Sequence, residues 1–469
     1  MNLNTIRTQA RRFVGPSDAN LPPLLAGADP VIGHSREFMS DPVGLLYRGY
    51  RAHGEAFTIK LMGANAVPLT GPEGNEAFFR APEDVLDAKE AYRIMTPVFG
   101  KGIAYDAEPH IMDEQLAFLY PALREKNLRE YARKMNEEAE RYFKRFGDEG
   151  EFDLLDMGNE LTMYTSTRSL LGDDFRDKLD SHFAHLYHDL DSSLTPLAFF
   201  LPNLPIPKFI KRDRARAALV KLFEDIVAER RQSGERHDDM LQALMDAQYK
   251  DGRKLTGDEI TGLILTIIFA GHHTSGTLTA WIGAELYSHQ NWLPAVLDEQ
   301  RRVYANNRPV SFDSLKELVE LERVIMEAER MHPPIVVMMR KALKTFEYKN
   351  WKIPAGTLLM TSPAVSHRLP GVFADPNTFD PGRFAPGREE HKKSPYGMIT
   401  FGAGKHRCIG LHFAYMQLKA VWSHLLRNFE LELSSPSYVP NYESMLVGPK
   451  QPATVRFKRR KVVLGCETE

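Results

Sequence analysis

The stretch that decides the fold is Phe401–Gly410, Phe-Gly-Ala-Gly-Lys-His-Arg-Cys-Ile-Gly, in which one cysteine follows a glycine-rich loop. Apolar residues at helical spacing begin near Leu411, directly after the loop. Cys408 therefore lies at the start of a helix, where backbone N–H groups and the helix dipole favour thiolate over thiol. Gly402 and Gly404 let the backbone turn tightly and approach a flat ligand closely. A thiolate in this setting is a soft, strong donor to iron, and the alternative interpretation is a buried structural cysteine.

Composition and charge indicate a globular protein without a strong charge bias. The chain has 469 residues, of which 43% are apolar and 26% charged, and its formal net charge is −2. This balance favours neither a nucleic acid nor an acidic membrane surface as a partner. The two cysteines, Cys408 and Cys466, give no disulfide framework and are typical of a reducing compartment. We therefore expect a cytoplasmic protein, with a monomer as the default state.

The sequence contains no segment that predicts a secretory signal or a membrane span. Its longest apolar run, residues 263–270, is broken by Thr266 and is far shorter than the ~20 apolar residues that a span requires. Residues 1–25 are predicted as a loosely ordered leader without an apolar core of signal-peptide length. Residues 26–469 are predicted as a single domain, because neither an internal repeat nor a low-complexity linker divides them.

Periodicity predicts a large helical body that carries small sheets. From residue 108 to 335, apolar residues recur at helical spacing with charged faces between them. A further helix is predicted from near Leu411 to about Arg427. Extended patterns predict strands at residues 56–69 (as a hairpin), 345–353, 358–361 and 453–456. The short basic run at 458–461 is interpreted as a solvated strand end and not as a nucleic-acid site.

A second motif is the pair Glu327 and Arg330, which lie on one face of a helix that must end before Pro333. Downstream, Arg383 stands in the proline-stiffened segment 379–384. A carboxylate bridged by two guanidiniums would fix that segment against the helix through charge-assisted, bidentate hydrogen bonds. An isolated Glu-x-x-Arg pair is by default an exposed ion pair. Together with the cysteine loop downstream, the motif indicates a buried lock.

A third motif interrupts an apolar helix at residues 268–275, Ile-Phe-Ala-Gly-His-His-Thr-Ser. The small residues Ala270 and Gly271 leave room for a flat cofactor and for bound oxygen beside the backbone. Thr274 can bond back to a helix carbonyl and open a gap for water. A hydroxyl beside a titratable neighbour can deliver the protons that cleavage of an O–O bond needs. The alternative is a helix whose polar residues are satisfied in the core.

Together, these three motifs resemble those of the cytochromes P450, and the resemblance covers residues 22–460. Two segments narrow it to one family. Residues 92–107 look like the substrate-loop signature of sterol 14α-demethylases, and Gly271–Ser275 looks like the oxygen-helix signature of the same family. The resemblance implies the cytochrome P450 fold, mainly α with small β-sheets. It also implies a heme b, iron protoporphyrin IX, with the Cys408 thiolate as its axial metal ligand.

The resemblance further implies the residues of the site. His273 and Thr274 would handle protons with Asp191 as the acidic partner, and this aspartate is shorter than the usual glutamate. Contacts with the haem are expected from Cys408, Tyr92, Arg340, His406, Phe401, Gly402, Ala270 and Gly271. The substrate pocket is expected to be lined by Tyr92, Ile94, Met95, Phe99, Ala270, Ile335, Val337 and Met445. Without the resemblance, Arg340 and His406 would equally suit solvated side chains.

The implied reaction is the oxidative removal of the 14α-methyl group of a sterol. It proceeds in three oxidations that end in formate and a new double bond, and each uses O2 and two electrons. A ferredoxin and its reductase are the expected electron donors, with Lys405 and Arg407 as the docking charges. Azole-type inhibitors are expected to bind. The alternatives are another lipid substrate, such as a fatty acid, hopanoid or other terpenoid, and a haem protein that oxygenates nothing.

Two positions depart from the pattern of the sterol 14α-demethylases. Residues 110–115, His-Ile-Met-Asp-Glu-Gln, stand where the family usually carries basic residues that reach the haem propionates. Ile94 stands where the family has phenylalanine or leucine. The first departure motivates the alternative of a different lipid, and the second favours C4-dimethylated sterols.

Overall fold

The computed structural model of the chain describes residues 20–177, 181–195, 198 and 201–466. Several of its helices begin at aspartate or threonine caps, as helix-start preferences dictate. The helices are α1 (Ser35–Ser40), α2 (Pro42–His53), α3 (Pro72–Arg80), α4 (Thr96–Phe99), α5 (Pro109–Leu119), α6 (Glu125–Phe143), α7 (Leu154–Leu171), α8 (Asp173–Asp177), α9 (Ser181–Asp191), α10 (Pro207–Ser233), α11 (Met240–Asp246), α12 (Gly257–Ser288), α13 (Leu293–Val303), α14 (Phe312–Lys316), α15 (Val319–Met331), α16 (Pro363–Ser366), α17 (Glu390–Lys393) and α18 (Leu411–Asn428). Among the described residues, no helix has both the length and the apolar character needed to cross a bilayer.

In the described part of the chain, three small sheets accompany the helices. Their strands are β1 (Ile59–Leu61), β2 (Ala64–Pro68), β3 (Leu86–Asp87), β4 (Glu149–Asp153), β5 (Met338–Ala342), β6 (Phe346–Tyr348), β7 (Trp351–Ile353), β8 (Leu358–Thr361), β9 (Phe429–Leu433) and β10 (Thr454–Arg459). The sheets have the orders β1-β2-β8-β5-β3, β4-β10-β9 and β6-β7. The predicted hairpin is confirmed, because Ile59 pairs with Ala66 in antiparallel register. The predicted mainly α fold with small sheets is likewise confirmed.

Several strands lie outside the predicted ranges, among them β4 and β5. β4 interrupts the segment that periodicity assigns to helices, and its Phe152 pairs with Val455 near the other end of the chain. β5 pairs with β8 on one side and with β3 on the other. Both strands are stabilised by partners that are distant in sequence, so a local pattern carries little signal for them.

The polar interruption predicted in an apolar helix lies within α12, the longest helix described. α12 begins with a capping box, in which Thr256 Oγ1 accepts the N–H of Glu259 and the Glu259 carboxylate accepts the N–H of Thr256. α7 packs closely along it. A Cβ on Gly158 of α7 would lie only 2.6 Å from the carbonyl oxygen of Gly276, so this contact requires glycine.

A buried ion cluster joins α15 to the segment that precedes the cysteine loop. Arg330 donates to both carboxylate oxygens of Glu327 at 2.7 and 2.9 Å, and Arg383 Nε lies 3.0 and 3.1 Å from the same oxygens. The three side chains are at most 1% exposed. Other guanidinium N–H groups donate to backbone carbonyls, including those of His367 and Ala374. The predicted bridge between helix and loop is confirmed.

The segment predicted as a loosely ordered leader, 1–25, is described only from residue 20 onward, and the rest of it lies outside the described residues. The N–H of Leu25 donates to Thr58 O at 2.9 Å, and Thr58 Oγ1 donates to Pro22 O at 2.6 Å. Leu25 is also 2% exposed. Backbone hydrogen bonds and burial thus hold residues 22–25 against the first hairpin, and the loosely ordered leader stays a prediction. The single domain over 26–469 stays a prediction.

The basic run at 458–461 continues β10 and is used in packing. Arg459 donates to the carbonyl oxygen of Phe146 at 2.7 Å, and Arg460 pairs with Glu430 at 3.0 Å. Lys458 lies in β10 with its side chain exposed. The arrangement is that of a strand end with partly engaged charges.

We expect Glu327→Ala to unfold at a much lower denaturant concentration than the unaltered protein. The change leaves two buried guanidiniums without their carboxylate, and breaking such a pair costs about 3–5 kcal/mol. Urea denaturation followed by circular dichroism measures this loss. The matched control is Glu320→Ala on the same helix, whose ion pair with Arg323 is partly exposed and contributes at most ~1 kcal/mol. Equal losses in the two variants would contradict the role of the cluster.

Candidate active site

The cysteine loop is closed by a backbone hydrogen bond from the N–H of Cys408 to the carbonyl oxygen of Phe401, at 2.8 Å. Gly402 and Gly404 have positive φ angles of 66° and 58°. A Cβ on Gly402 would lie 2.3 Å from the carbonyl oxygen of His406. This tight turn therefore requires glycine, as the sequence predicts, and α18 begins directly after it.

The sulfur of Cys408 faces a cavity, and its side chain is exposed there. Burial among protein atoms raises the pKa of the Cys408 thiol, and the backbone N–H of Gly410 lowers it by less. The N–H of Gly410 at the start of α18 favours the thiolate, as the sequence predicts, but it offsets only part of the effect of burial. Iron bound to the sulfur would produce a thiolate, because a coordinating thiol is deprotonated outright.

The cavity has a volume of about 1350 Å³ and a mostly apolar wall. It extends from the cysteine loop to α12, β5 and the segment 92–107. The predicted site residues that line it are Tyr92, Ile94, Met95, Phe99, Ala270, Gly271, Thr274, Ile335, Val337, Arg340, Phe401, Gly402, His406, Cys408 and Met445. His273 and Asp191 lie beside it, where α9 meets α12.

Thr274 and His273 are held in different ways. Thr274 Oγ1 donates to the carbonyl oxygen of Ala270 at 2.5 Å, the back-bond expected from the sequence. His273 Nε2 lies 3.3 Å from Asp191 Oδ1, at ion-pair distance but without the alignment of a hydrogen bond. Burial lowers the pKa of His273, and the carboxylate of Asp191 partly offsets this effect. The fold thus brings the expected acid and base together.

Tyr187 is a further member of this group that sequence reasoning missed. Its ring stacks on that of His273, with centroids 5.8 Å apart and an interplanar angle of 20°. Its hydroxyl lies 3.5 Å from Nδ1 of His272. Tyr187 precedes Asp191 by one helical turn in α9, so both side chains lie on one face of that helix. This spacing is the signal that could have identified it.

Comparison with known proteins decides the family. The family model described as Cytochrome P450 matches residues 23–457. The chain belongs to the cytochrome P450 family. The solved structure of retinoic acid bound cyanobacterial CYP120A1 has a TM-score of 0.82 with this P450 at 22% identity, over 94% of this chain and 100% of that one. The predicted P450 fold is therefore confirmed.

Relatives of this P450 with assigned activities share about two fifths of its residues. The Sterol 14-demethylase of Arabidopsis thaliana is 41% identical over 94% of this chain and 92% of its own. The Sterol 14alpha-demethylase of Mycobacterium tuberculosis is 41% identical over 93% of this chain and 98% of its own. The Lanosterol 14-alpha demethylase of Bos taurus is 37% identical over 95% of this chain and 89% of its own.

The residues around the cavity of this P450 fit a haem. Arg340 is 2% exposed and its Nε has no hydrogen-bond partner, although it faces the wall of the cavity. Arg340 Nη2 and His406 Nε2 lie 3.3 and 2.9 Å from the two carboxylate oxygens of Glu83. A guanidinium and an imidazole that converge on carboxylate oxygens are suitable donors for haem propionates. Of the three residues expected at the propionates, Arg340 and His406 contact Glu83 in the structure, and Tyr92 lies elsewhere along the cavity wall.

Tyr105 is a second residue that sequence reasoning missed, although it lies in the segment quoted as the substrate loop. Its ring stacks on that of Tyr92 with centroids 4.9 Å apart and an angle of 27°, and it lines the cavity. Tyr92 accepts the N–H of Met339 at its hydroxyl oxygen, at 3.2 Å. The preceding residue, Ala104, has a positive φ of 49°, an uncommon backbone conformation for alanine. The strained turn directs the loop toward the cavity.

The segment 110–115 takes a structural role in α5. Gln115 is 1% exposed, accepts the N–H of Ala104 at 2.9 Å and donates to the carbonyl oxygen of Gly102 at 3.0 Å. It therefore holds the strained turn beside Tyr105. The residues of α5 that line the cavity are Met112, Leu116 and Leu119. α5 thus presents an apolar face to the cavity where sterol 14α-demethylases usually carry basic residues.

We expect Asp191→Asn to lower the pKa of His273 further. The substitution removes the negative charge that favours the imidazolium, so His273 loses its proton at a lower pH than in the unaltered protein. Nuclear magnetic resonance titration of the His273 ring measures this shift, and the acidic limb of the pH–rate profile should move with it. Asp191→Glu is the control that keeps the charge. An unchanged titration in Asp191→Asn would show that the two groups are not coupled.

Proposed function

We propose that this P450 oxidatively removes the 14α-methyl group of a sterol. One observation carries the proposal: the two segments that look specific to sterol 14α-demethylases, 92–107 and Gly271–Ser275, meet at the same cavity above Cys408. The relatives from a plant, a bacterium and an animal, each named for sterol or lanosterol 14-demethylation, support it.

The size and chemistry of the cavity suit such a substrate. A single small ligand usually occupies ~300–1,000 Å³. The volume of about 1350 Å³ leaves room for a lipid beside a haem. A sterol is a rigid apolar body with one hydroxyl group, which matches a wall of aliphatic and aromatic side chains. Ile335 and Met445 are each 38% exposed although they are apolar, because they face this space.

The protein groups have distinct tasks in the proposed reaction. A bound haem b with Cys408 as its ligand supplies oxygen activation and electron transfer. Arg340, His406 and Tyr92 would hold its propionates. Asp191, with its side chain 39% exposed, can take protons from solvent and pass them to buried His273, next to Thr274 at the cavity wall. Tyr187 keeps the His273 ring in place by stacking.

The proposal includes O2 and an electron donor such as a ferredoxin with its reductase. Lys405 and Arg407 lie exposed beside Cys408 at the wall of the cavity, and neither forms an ion pair with a described residue. They are therefore free to meet an acidic partner. Azole-type inhibitors would bind in the same cavity. A cytoplasmic, monomeric protein remains our proposal from the sequence.

Spectral titration and product analysis with a panel of lipids test the substrate. We expect C4-dimethylated and C4-monomethylated sterols to shift the spin state of the haem spectrum. Reconstitution with a ferredoxin and its reductase should yield the 14-demethylated product. Ile94 predicts that the dimethylated sterols bind better. If no sterol shifts the spectrum or turns over, the proposal fails. Turnover of a fatty acid, hopanoid or other terpenoid would establish the alternative of a different lipid.

Thr274→Ala should reduce the fraction of consumed electrons that appears in product, and turnover should fall by up to the ~10²–10⁴-fold that a positioned proton donor contributes. Thr266→Ala is the matched control, because Thr266 lies on the same helix, lines the same cavity and donates to Gly262 O at 2.8 Å in the same way. Product formed per electron consumed is the measurement. Unchanged turnover and coupling in Thr274→Ala would show that Thr274 has no role in proton delivery.

A further inference from the structure

Glu329 is a buried carboxyl group that the proposed reaction does not use. It lies on α15, next to Arg330 of the ion cluster, and is 2% exposed. Its hydrogen bond comes from the hydroxyl of Tyr415 on α18, at 3.0 Å. Among the described residues, no lysine, arginine or histidine nitrogen lies within ion-pair distance of its carboxyl group. A buried acid without a cation is costly to fold, so its presence requires an explanation.

Tyr415 connects this carboxyl group to the cysteine loop. Its ring centroid lies 5.8 Å from that of Phe401. The carbonyl oxygen of Phe401 accepts the N–H of Cys408 at 2.8 Å. Carboxyl group, phenol, phenyl ring and loop backbone thus form one continuous series of contacts that ends at the iron ligand. Glu329 and Tyr415 lie behind this loop, on two helices that pack against each other.

The charge state of Glu329 depends on three identifiable influences. Burial raises its pKa to about 8, the hydrogen bond from Tyr415 lowers the pKa in part, and the negative charge of Glu322 on the same helix raises it. Glu329 therefore carries a proton near neutral pH and loses it on the alkaline side.

Other charged groups on the elements packed against α15 are engaged elsewhere. Lys419 of α18 bonds to Glu322 and donates to the carbonyl oxygen of Leu315 at 3.1 Å. The remaining groups and their partners are Glu299 of α13 with the N–H groups at the start of α15, Glu285 of α12 with His332, Arg383 with Glu327, and His367 with the carbonyl oxygen of Arg330. The pKa of Glu329 is therefore set mainly by its burial, by the hydrogen bond from Tyr415 and by the charge of Glu322.

We propose that, on the alkaline side of neutrality, the Glu329–Tyr415 pair couples reduction of the haem–thiolate centre to the uptake of a proton. Reduction adds one electron, delivered by the ferredoxin-class donor, and so one negative charge near the loop. An ionised Glu329 repels that charge, whereas a Glu329 carboxylate that takes one proton from solvent cancels it. One electron is gained at the iron and one proton at Glu329, and no bond to the haem forms or breaks. Glu329 is a positioning residue that acts through Tyr415 and Phe401.

The midpoint potential of the haem, measured by spectroelectrochemistry across the range around pH 8, tests the proposal. We expect the potential of the unaltered protein to fall as the pH rises through this range, and that of Glu329→Gln to stay level. Tyr415→Phe removes a bond that favours the ionised form, so its inflection should move to higher pH. Glu322→Gln removes a repelling charge, so its inflection should move to lower pH. Glu320→Gln, on the same helix but paired with Arg323, is the control and should keep the original curve.

The outcomes are distinguishable. A Glu329→Gln profile that keeps the original inflection overturns the proposal. If Glu329→Gln does not incorporate haem, Tyr415→Phe and Glu322→Gln decide the question. The proposal is overturned if the inflection pH of these two variants does not move, or if it moves in the same direction in both. The proposal needs Cys408 as the iron ligand but not a particular lipid. If the reduced carbon monoxide complex lacks the spectrum of a thiolate-ligated haem, the assignment of Cys408 fails and the proposal for Glu329 fails with it. If that spectrum is present and the Glu329→Gln profile is unchanged, only the role of Glu329 is wrong.

Discussion

The position of the cysteine loop depends on one buried carboxylate. Glu327 accepts hydrogen bonds from Arg330 and Arg383 with all three side chains excluded from water. Buried charges are tolerated only when each donor and acceptor is paired, so the loss of one of the three side chains would destabilise the whole cluster. The spare N–H groups of both guanidiniums bind backbone carbonyls, and Glu327 itself accepts the N–H of Asp380. A long irregular segment is thereby held against α15, and it leads directly into the loop that carries Cys408.

The two sides of that loop have different chemistry. On the cavity side, α12 presents small residues and Thr274, whose polar group is bonded within the helix. Behind the loop, α15 buries the carboxyl group of Glu329, and Tyr415 of α18 connects this group to Phe401. The first side admits a flat cofactor and a lipid. The side behind the loop contributes a titratable carboxyl group that lies outside the cavity. This group and its phenol partner are 86 positions apart in the sequence.

Local patterns predicted those elements whose stabilising contacts are close in sequence. The glycine-rich turn, the hairpin at 56–69 and the helix from Leu411 each follow from the conformational preferences of a few adjacent residues. β4 could not be predicted in this way, because its ladder partner is β10. For Cys408 the sequence shows the helix start that favours a thiolate, but it does not show the burial that raises the pKa of the thiol.

The sequence by itself determined the P450 family, the iron ligand expected at Cys408 and the Glu327–Arg330–Arg383 cluster, because each depends on residue types at fixed spacings. Only the tertiary structure decided which groups meet. It placed Tyr187 on His273, Tyr105 on Tyr92, and both Arg340 and His406 on Glu83. It also turned the departure at 110–115 into an apolar helix face with a buried glutamine. These contacts join residues from separate helices and loops, and their distances follow from packing in three dimensions, which no local pattern encodes.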